Sequence, residues 1–123
     1  MGFVFKETRS AEELECMFLK VRRKPGHEHD LPIVCEGDIV EDPLNFPLKF
    51  LVAPGITVGA FMFYVRKCAR IKAHEALFFF FGDKQTIFSP SLSIQEVYDL
   101  SKDKSGFLFV TVMRESVFGG GYL

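Results

Sequence analysis

Near its C-terminus the sequence runs Glu115-Ser116-Val117-Phe118-Gly119-Gly120-Gly121-Tyr122-Leu123, and the three glycines are the residues there best suited to chemistry. Glycine has no Cβ, so its carbonyl can reach a cysteine thiol through a channel too narrow for any other residue. The chemistry would be exposure of a glycine carboxylate on an extended arm, its activation, and its transfer as an acyl group. Taken alone such an end carries little weight, because glycine-rich termini are common and fray easily.

Other residues offer weaker chemistry. His27, Glu28, His29 and Asp30 could ligate a metal, but they share one short loop with no distant ligand, so a solvated loop is expected and no metal is assigned. Cys16, Cys35 and Cys68 are odd in number, widely spaced and outside any CxxC, which argues against a disulfide framework or zinc site and for a reduced setting. Cys35 and Cys68 fall on apolar segments, where buried thiols are expected to be inert. No Ser-His-Asp set, paired carboxylates or phosphate loop can be assembled with supporting context. An enzyme is not expected, and neither catalytic residues nor a bound cofactor are assigned.

At 123 residues the chain fits one domain, and its 48% hydrophobic and 25% charged residues suffice for a core without disulfides or metal. Fifteen Phe and no Trp make the composition unusual. Fifteen Lys+Arg against sixteen Asp+Glu give a net charge of −1, which offers nothing to a nucleic acid. The clusters Lys20, Arg22, Arg23, Lys24 and Arg66, Lys67, Arg70, Lys72 read as helix C-termini, where cations suit the dipole. Met1 to Glu7 lacks the charged start and long apolar stretch of a signal peptide, and Lys6 stands where a myristoylation signal needs Ser or Thr. The apolar run Leu77 to Phe81 is far short of the about 20 residues that span a bilayer. Any membrane attachment is therefore expected to be added later.

The elements that would position these residues follow from periodicity and caps. Ser10-Ala11-Glu12-Glu13 reads as a capping box, and Leu14, Met17, Phe18 and Val21 recur at helical spacing until Pro25-Gly26, giving a helix over about 10–24. Leu31 to Cys35 and Leu48 to Val52 read as strands, separated by a loop from Gly37 to Pro47 carrying Asp38, Glu41 and Asp42. Thr57 caps a second helix with Val58, Phe61, Met62, Val65 and Ala69 on one side. Ala76 to Phe81 is apolar enough to predict a central strand, Ser93 with Glu96 opens a short helix, and Phe107 to Val112 is a last strand. The right-handed crossover rule sets Leu77 to Phe81 parallel to an earlier strand. Two strands, a crossing helix and further strands make the α+β order of a β-grasp, or ubiquitin-like, fold with an N-terminal helical extension.

With that order in place, the sequence resembles the GABARAP-type autophagy modifiers, a family conjugated to phosphatidylethanolamine. The resemblance is carried in order by Phe3 to Glu7, Leu31 to Glu36, Lys49 to Val52, Thr57 to Phe61, Arg66-Lys67, Ala76 to Phe80, Lys104 to Phe109 and Glu115 to Gly119. It implies that a processing cysteine protease cuts after Gly119, leaving a domain of residues 1–119 and removing 120–123. The run of three leaves Gly120 and Gly121 as alternative ends. The activating and conjugating enzymes of autophagy would then join the glycine carboxylate to the lipid. Cytoplasm and autophagosome membrane would be its locations, with the membrane reached only through the lipid.

The resemblance also implies a surface that reads cargo receptors through short aromatic-x-x-aliphatic motifs, added as a strand to the Lys49 to Val52 edge. Val21, Pro32, Val34, Lys49, Leu51 and Phe107 match the aromatic pocket; Phe50, Val52, Ile56, Phe61 and Tyr64 match the aliphatic pocket, and Arg66 is a further member. Asp30, Pro47 and Cys68 stand where the family usually has cations, so a weaker demand for acids beside the motif is expected. The segment Lys24 to Leu31 carries two more residues than usual, at the mouth of the aromatic pocket. Two other readings remain: a sister modifier conjugated to a protein lysine, against which the residues beyond the glycine argue, and a β-grasp scaffold that binds peptides without conjugation.

Overall fold

Short-range caps set the helices. In the computed structural model, which describes residues 4–37, 48–72 and 74–114 (without the side chains of Val4 and Phe5), Ser10 opens helix α2, Ala11–Arg22, through the expected capping box. Its hydroxyl accepts from the Glu13 N–H at 3.1 Å while the Glu13 carboxylate accepts from the Ser10 N–H at 3.2 Å. Thr57 caps helix α3, Val58–Cys68, and Ser93 caps helix α4, Ile94–Ser101, each accepting from the N–H three residues on. Such caps contribute about 1 kcal/mol each. A short helix α1, Val4–Glu7, precedes them and was not expected from the sequence.

The strands are β1, Leu31–Gly37; β2, Leu48–Val52; β3, Leu77–Phe81; and β4, Leu108–Arg114. They form one sheet in the order β2-β1-β4-β3, with β1 parallel to β4 and both outer pairs antiparallel. This is the β-grasp. Strand β3 is therefore an edge of the sheet, not a central strand. It runs in the same direction as β2, as a crossover through α3 requires, but β1 and β4 lie between the two. The apolar run misled because coverage, not position in the sheet, dictates it: Phe79 and Phe81 are core, Phe80 is half-buried, and only Phe78 is substantially open, at 39%.

Alternation along the strands builds two cores. Ile33, Cys35, Leu108, Val110 and Val112 face α3 and α4, meeting Val58, Phe61, Val65, Ile94 and Val97. Val34, Phe107 and Phe109 face the other way and pack with Leu14, Met17 and Phe18 of α2. The many phenylalanines are used edge-to-face, as in Phe61 against Phe50 at 5.7 Å and Phe81 against Phe88 at 5.6 Å.

Two contacts fix the N-terminal helices to the β-grasp. Gly106, at φ +99°, lies so close to Phe18 that a Cβ there would stand 2.6 Å from the ring, and the buried Tyr98 hydroxyl donates to the Gly106 carbonyl at 2.6 Å. Lys6 reaches Asp103 at 2.6 Å and Asp83 at 3.2 Å. The Asp103 hydrogen bond raises the Lys6 pKa. Burial pushes the Asp103 carboxyl up, but the bonds from Lys6 and Ser105 outweigh it and leave that pKa lowered.

Candidate functional site

Strand β2 pairs with β1 alone, so its outer edge carries no strand among the described residues. Such an edge offers a row of backbone donors and acceptors to an added strand. Because side chains alternate, β2 presents different residues on the two faces of the sheet. Leu48, Phe50 and Val52 pack with the core beneath α3, whereas Lys49 and Leu51, with Phe50 between them at the border, line a cavity against α2.

That cavity has a volume of about 600 Å³. All six residues assigned from sequence to the aromatic pocket line it: Val21, Pro32, Val34, Lys49, Leu51 and Phe107. Val34 and Phe107 are buried and form its floor; Val21 and Leu51 are half-buried walls, and Lys49 is exposed. Sequence reasoning missed four other lining residues, Met17, Lys20, Lys24 and Ile33, and Phe50, assigned to the second pocket, also borders this cavity. The signal of the first three was present in the spacing, since Met17, Lys20 and Val21 share one stripe of α2 and Lys24 continues it just past the helix end. The lysines had been read only as partners of the helix dipole.

The second group lies on the opposite face. Phe50 and Ile56 are half-buried, Val52 is 7% exposed, and Phe61 is fully buried, so Phe61 can only be a floor under the others. The Ile56 carbonyl accepts from the Ile94 N–H at 2.8 Å, which pins this loop to α4, and Tyr64 stands at the rim with 61% exposure. Arg66 is not gathered with them. Its guanidinium donates to the carbonyls of Lys72 at 3.0 Å and Glu75 at 2.6 Å, tying the α3–β3 connection instead.

Comparison with known proteins decides the family. A family model described as "Autophagy protein Atg8 ubiquitin like" matches residues 19–119. The chain belongs to the Atg8 family. It is 35% identical over 91 residues to Autophagy-related protein 8 of Kluyveromyces marxianus, covering 73% of this chain and 72% of that one. It is 28% identical over 120 residues to Autophagy-related protein 8 of Mycosarcoma maydis, covering 97% and 98%. The crystal structure of Trypanosoma brucei ATG8 superposes with a TM-score of 0.79 at 29% identity, covering 94% of this chain and 97% of that one. This Atg8-family chain is thus a ubiquitin-like autophagy modifier and not an enzyme.

Around the cavity mouth, the charges of this Atg8-family member are arranged by the segment between α2 and β1. The Asp30 carboxylate is hydrogen-bonded to His27 Nδ1 at 2.7 Å. Arg22 donates to the Glu28 carbonyl at 2.8 Å and stacks over Phe18 with its carbon 5.1 Å from the ring centre. These bonds occupy Asp30 and Arg22 locally, while Lys20, Lys24 and Lys49 keep the cavity rim cationic. Pro47, the second departure from the usual cations, lies outside the described residues.

Cys68, the third departure, is exposed at the end of α3, which corrects the expectation that it is buried. It shares the i, i+4, i+7 stripe of the buried Phe61 and Val65, but it is the last residue of the helix, where that stripe reaches solvent. Cys35 is fully buried, and that burial, with Cys68 adding to it, pushes its thiol pKa far up. A mild thiol reagent at neutral pH should label Cys16 and Cys68 and spare Cys35 until the protein unfolds. Intact mass would show two adducts; three adducts on the folded chain would contradict this packing.

Gly119, Gly120 and Gly121 lie outside the described residues. Strand β4 carries the chain toward them, ending at Arg114 opposite Leu77 of β3.

Proposed function

We propose that this Atg8-family protein is trimmed after Gly119, joined through that glycine to phosphatidylethanolamine, and so tags autophagosomal membranes, where its β2 edge docks cargo receptors bearing aromatic-x-x-aliphatic motifs. The partners of this cycle are a processing cysteine protease and the activating and conjugating enzymes of autophagy. A cytoplasmic form precedes the membrane-bound one. The membrane is reached only through the lipid.

The observation that carries the peptide reading is that the two apolar sites flank one free strand edge on opposite faces of the sheet. In an added strand, residues an even number apart share a face and residues an odd number apart do not. An aromatic and an aliphatic residue three apart therefore point to opposite faces, one toward the α2 cavity and one toward Phe50, Val52 and Ile56. The direct test is a pair of peptides differing only in having two spacers or one. The two-spacer peptide should bind at least about tenfold more tightly, the cost of losing one apolar anchor. Equal binding would remove this reading of the edge.

The lysines around the cavity bear on acids flanking the motif. Lys20→Gln with Lys24→Gln should weaken an acid-flanked peptide by about threefold to tenfold, mainly through the association rate, and Asp30→Arg should strengthen it. Surface plasmon resonance at two salt concentrations measures both. An Asp30→Arg variant with unchanged affinity would show that the acid at this position does not lower the demand for acidic flanks.

A further inference from the structure

Strand β4 delivers the chain to its C-terminal segment at a defined pole of the sheet. Arg114 lies opposite Leu77, the first residue of β3, and Val112 lies opposite Gly37, the last of β1. The α3–β3 connection is folded onto the same pole. The Ile71 N–H donates to the Arg66 carbonyl at 3.0 Å, and Arg66 in turn donates to the carbonyls of Lys72 and Glu75. Glu75 Oε2 stands 3.8 Å from Arg114 Nε, a loose ion pair, so the connection is hydrogen-bonded to the end of α3 and lies against the end of β4.

This connection is strongly cationic. From Arg66 to His74 the sequence has Arg66, Lys67, Arg70, Lys72 and His74, and no acid. Lys67, Arg70, Lys72 and His74 are exposed, and among the described residues no ion pair engages the first three. The helix dipole accounts for cations in the last turn of α3, but its field fades within that turn and does not reach Lys72 or His74. The described acids on this pole are Glu75, held against Arg114, and Glu36, half-buried on β1.

We infer that the exposed cations Lys67, Arg70 and Lys72 form a membrane-facing surface that meets anionic lipid headgroups once the C-terminal arm is anchored. The inference rests on the proposed conjugation and names the lipid chemistry that conjugation brings within reach. Gly119 lies five residues beyond Arg114, a reach of at most about 18 Å. An anchor so close holds this pole within one or two screening lengths of the headgroups. Tethering supplies the local concentration that a net charge of −1 could not. Cations so held favour an anionic surface, and the nucleic-acid alternative gains nothing from the anchor.

The test uses the chain ending at Gly119 followed by a histidine tag, held on vesicles by a nickel-chelating lipid, with or without phosphatidylserine. Amide hydrogen exchange should slow at residues 66–75 by at least about fivefold on phosphatidylserine vesicles, the effect of one cation at such a surface. High salt, or the combined substitutions Lys67→Ser, Arg70→Ser and Lys72→Ser, should abolish the protection while the melting curve stays unchanged. Protection centred on Lys20 to Lys24 at the end of α2 and beyond it, or equal protection on vesicles lacking phosphatidylserine, would overturn the assignment. The tether replaces the lipid, so this result does not depend on conjugation in cells. A chain never conjugated in cells would remove the proposed function while this surface stood or fell on its own measurement.

Discussion

Replacing Gly119, Gly120 and Gly121 together by alanine should abolish lipid conjugation and leave the protein wholly in the soluble fraction of starved cells. The expected loss exceeds about a hundredfold, because the enzyme channels that receive a glycine exclude a Cβ and a 1 Å misplacement at a reacting centre costs that much by itself. Single substitutions then divide the run. Gly119→Ala should be as damaging as the triple change, whereas Gly120→Ala and Gly121→Ala should leave conjugation intact. If Gly120→Ala alone blocked it, the end would be Gly120. The folded domain is a control: its melting temperature should not move, since the substitutions fall after β4, whose last described pairing is Arg114 with Leu77.

Leu51→Ala should cut affinity for an aromatic-x-x-aliphatic peptide by about tenfold to a hundredfold, in line with the about 1.5–3 kcal/mol that burying a leucine contributes. Leu51 is the informative position because it is a half-buried cavity wall on the β2 edge, facing away from the main core. The free protein should lose little stability. Phe61→Ala would be a poor probe of the second site, since Phe61 is fully buried and its truncation would cost about 3–5 kcal/mol of folding stability. Isothermal titration with Leu51→Ala beside Ile56→Ala separates the two sites: each should weaken binding, and the peptide with one spacer should be insensitive to one of them. Unchanged affinity in Leu51→Ala would move the aromatic anchor elsewhere.

Much of this architecture was readable in the sequence because local signals agreed with tertiary demand. The Ser10–Glu13 box, Thr57 and Ser93 all cap the helices they predict. The six residues matched to an aromatic pocket converge on one cavity although they come from α2, β1, β2 and the residue just before β4. Three features were not readable. The five apolar residues of β3 look the same whether the strand is central or is an edge covered on most of its surface. Cys68 shares the stripe of Phe61 and Val65, so periodicity places it inside; its exposure follows from where α3 ends, which only the fold shows. Arg66 resembled a ligand-facing cation, yet its side chain is spent on two backbone carbonyls that only the folded connection brings near.

The N-terminal arm shows the same limit. Four residues form α1, too few for a periodic signal, and the Lys6 contacts to Asp83 and Asp103 join positions far apart in the chain. Lys20 and Lys24 were visible as charges but not as cavity residues, because their role depends on where β2 lies against α2.

The most direct test is the intact mass of the protein recovered from the membranes of starved cells. Removal of Gly120 to Leu123 followed by gain of one phosphatidylethanolamine is the predicted result, and the same mass names the true terminal glycine. A chain that keeps its full mass on those membranes would contradict the conjugation on which the account rests.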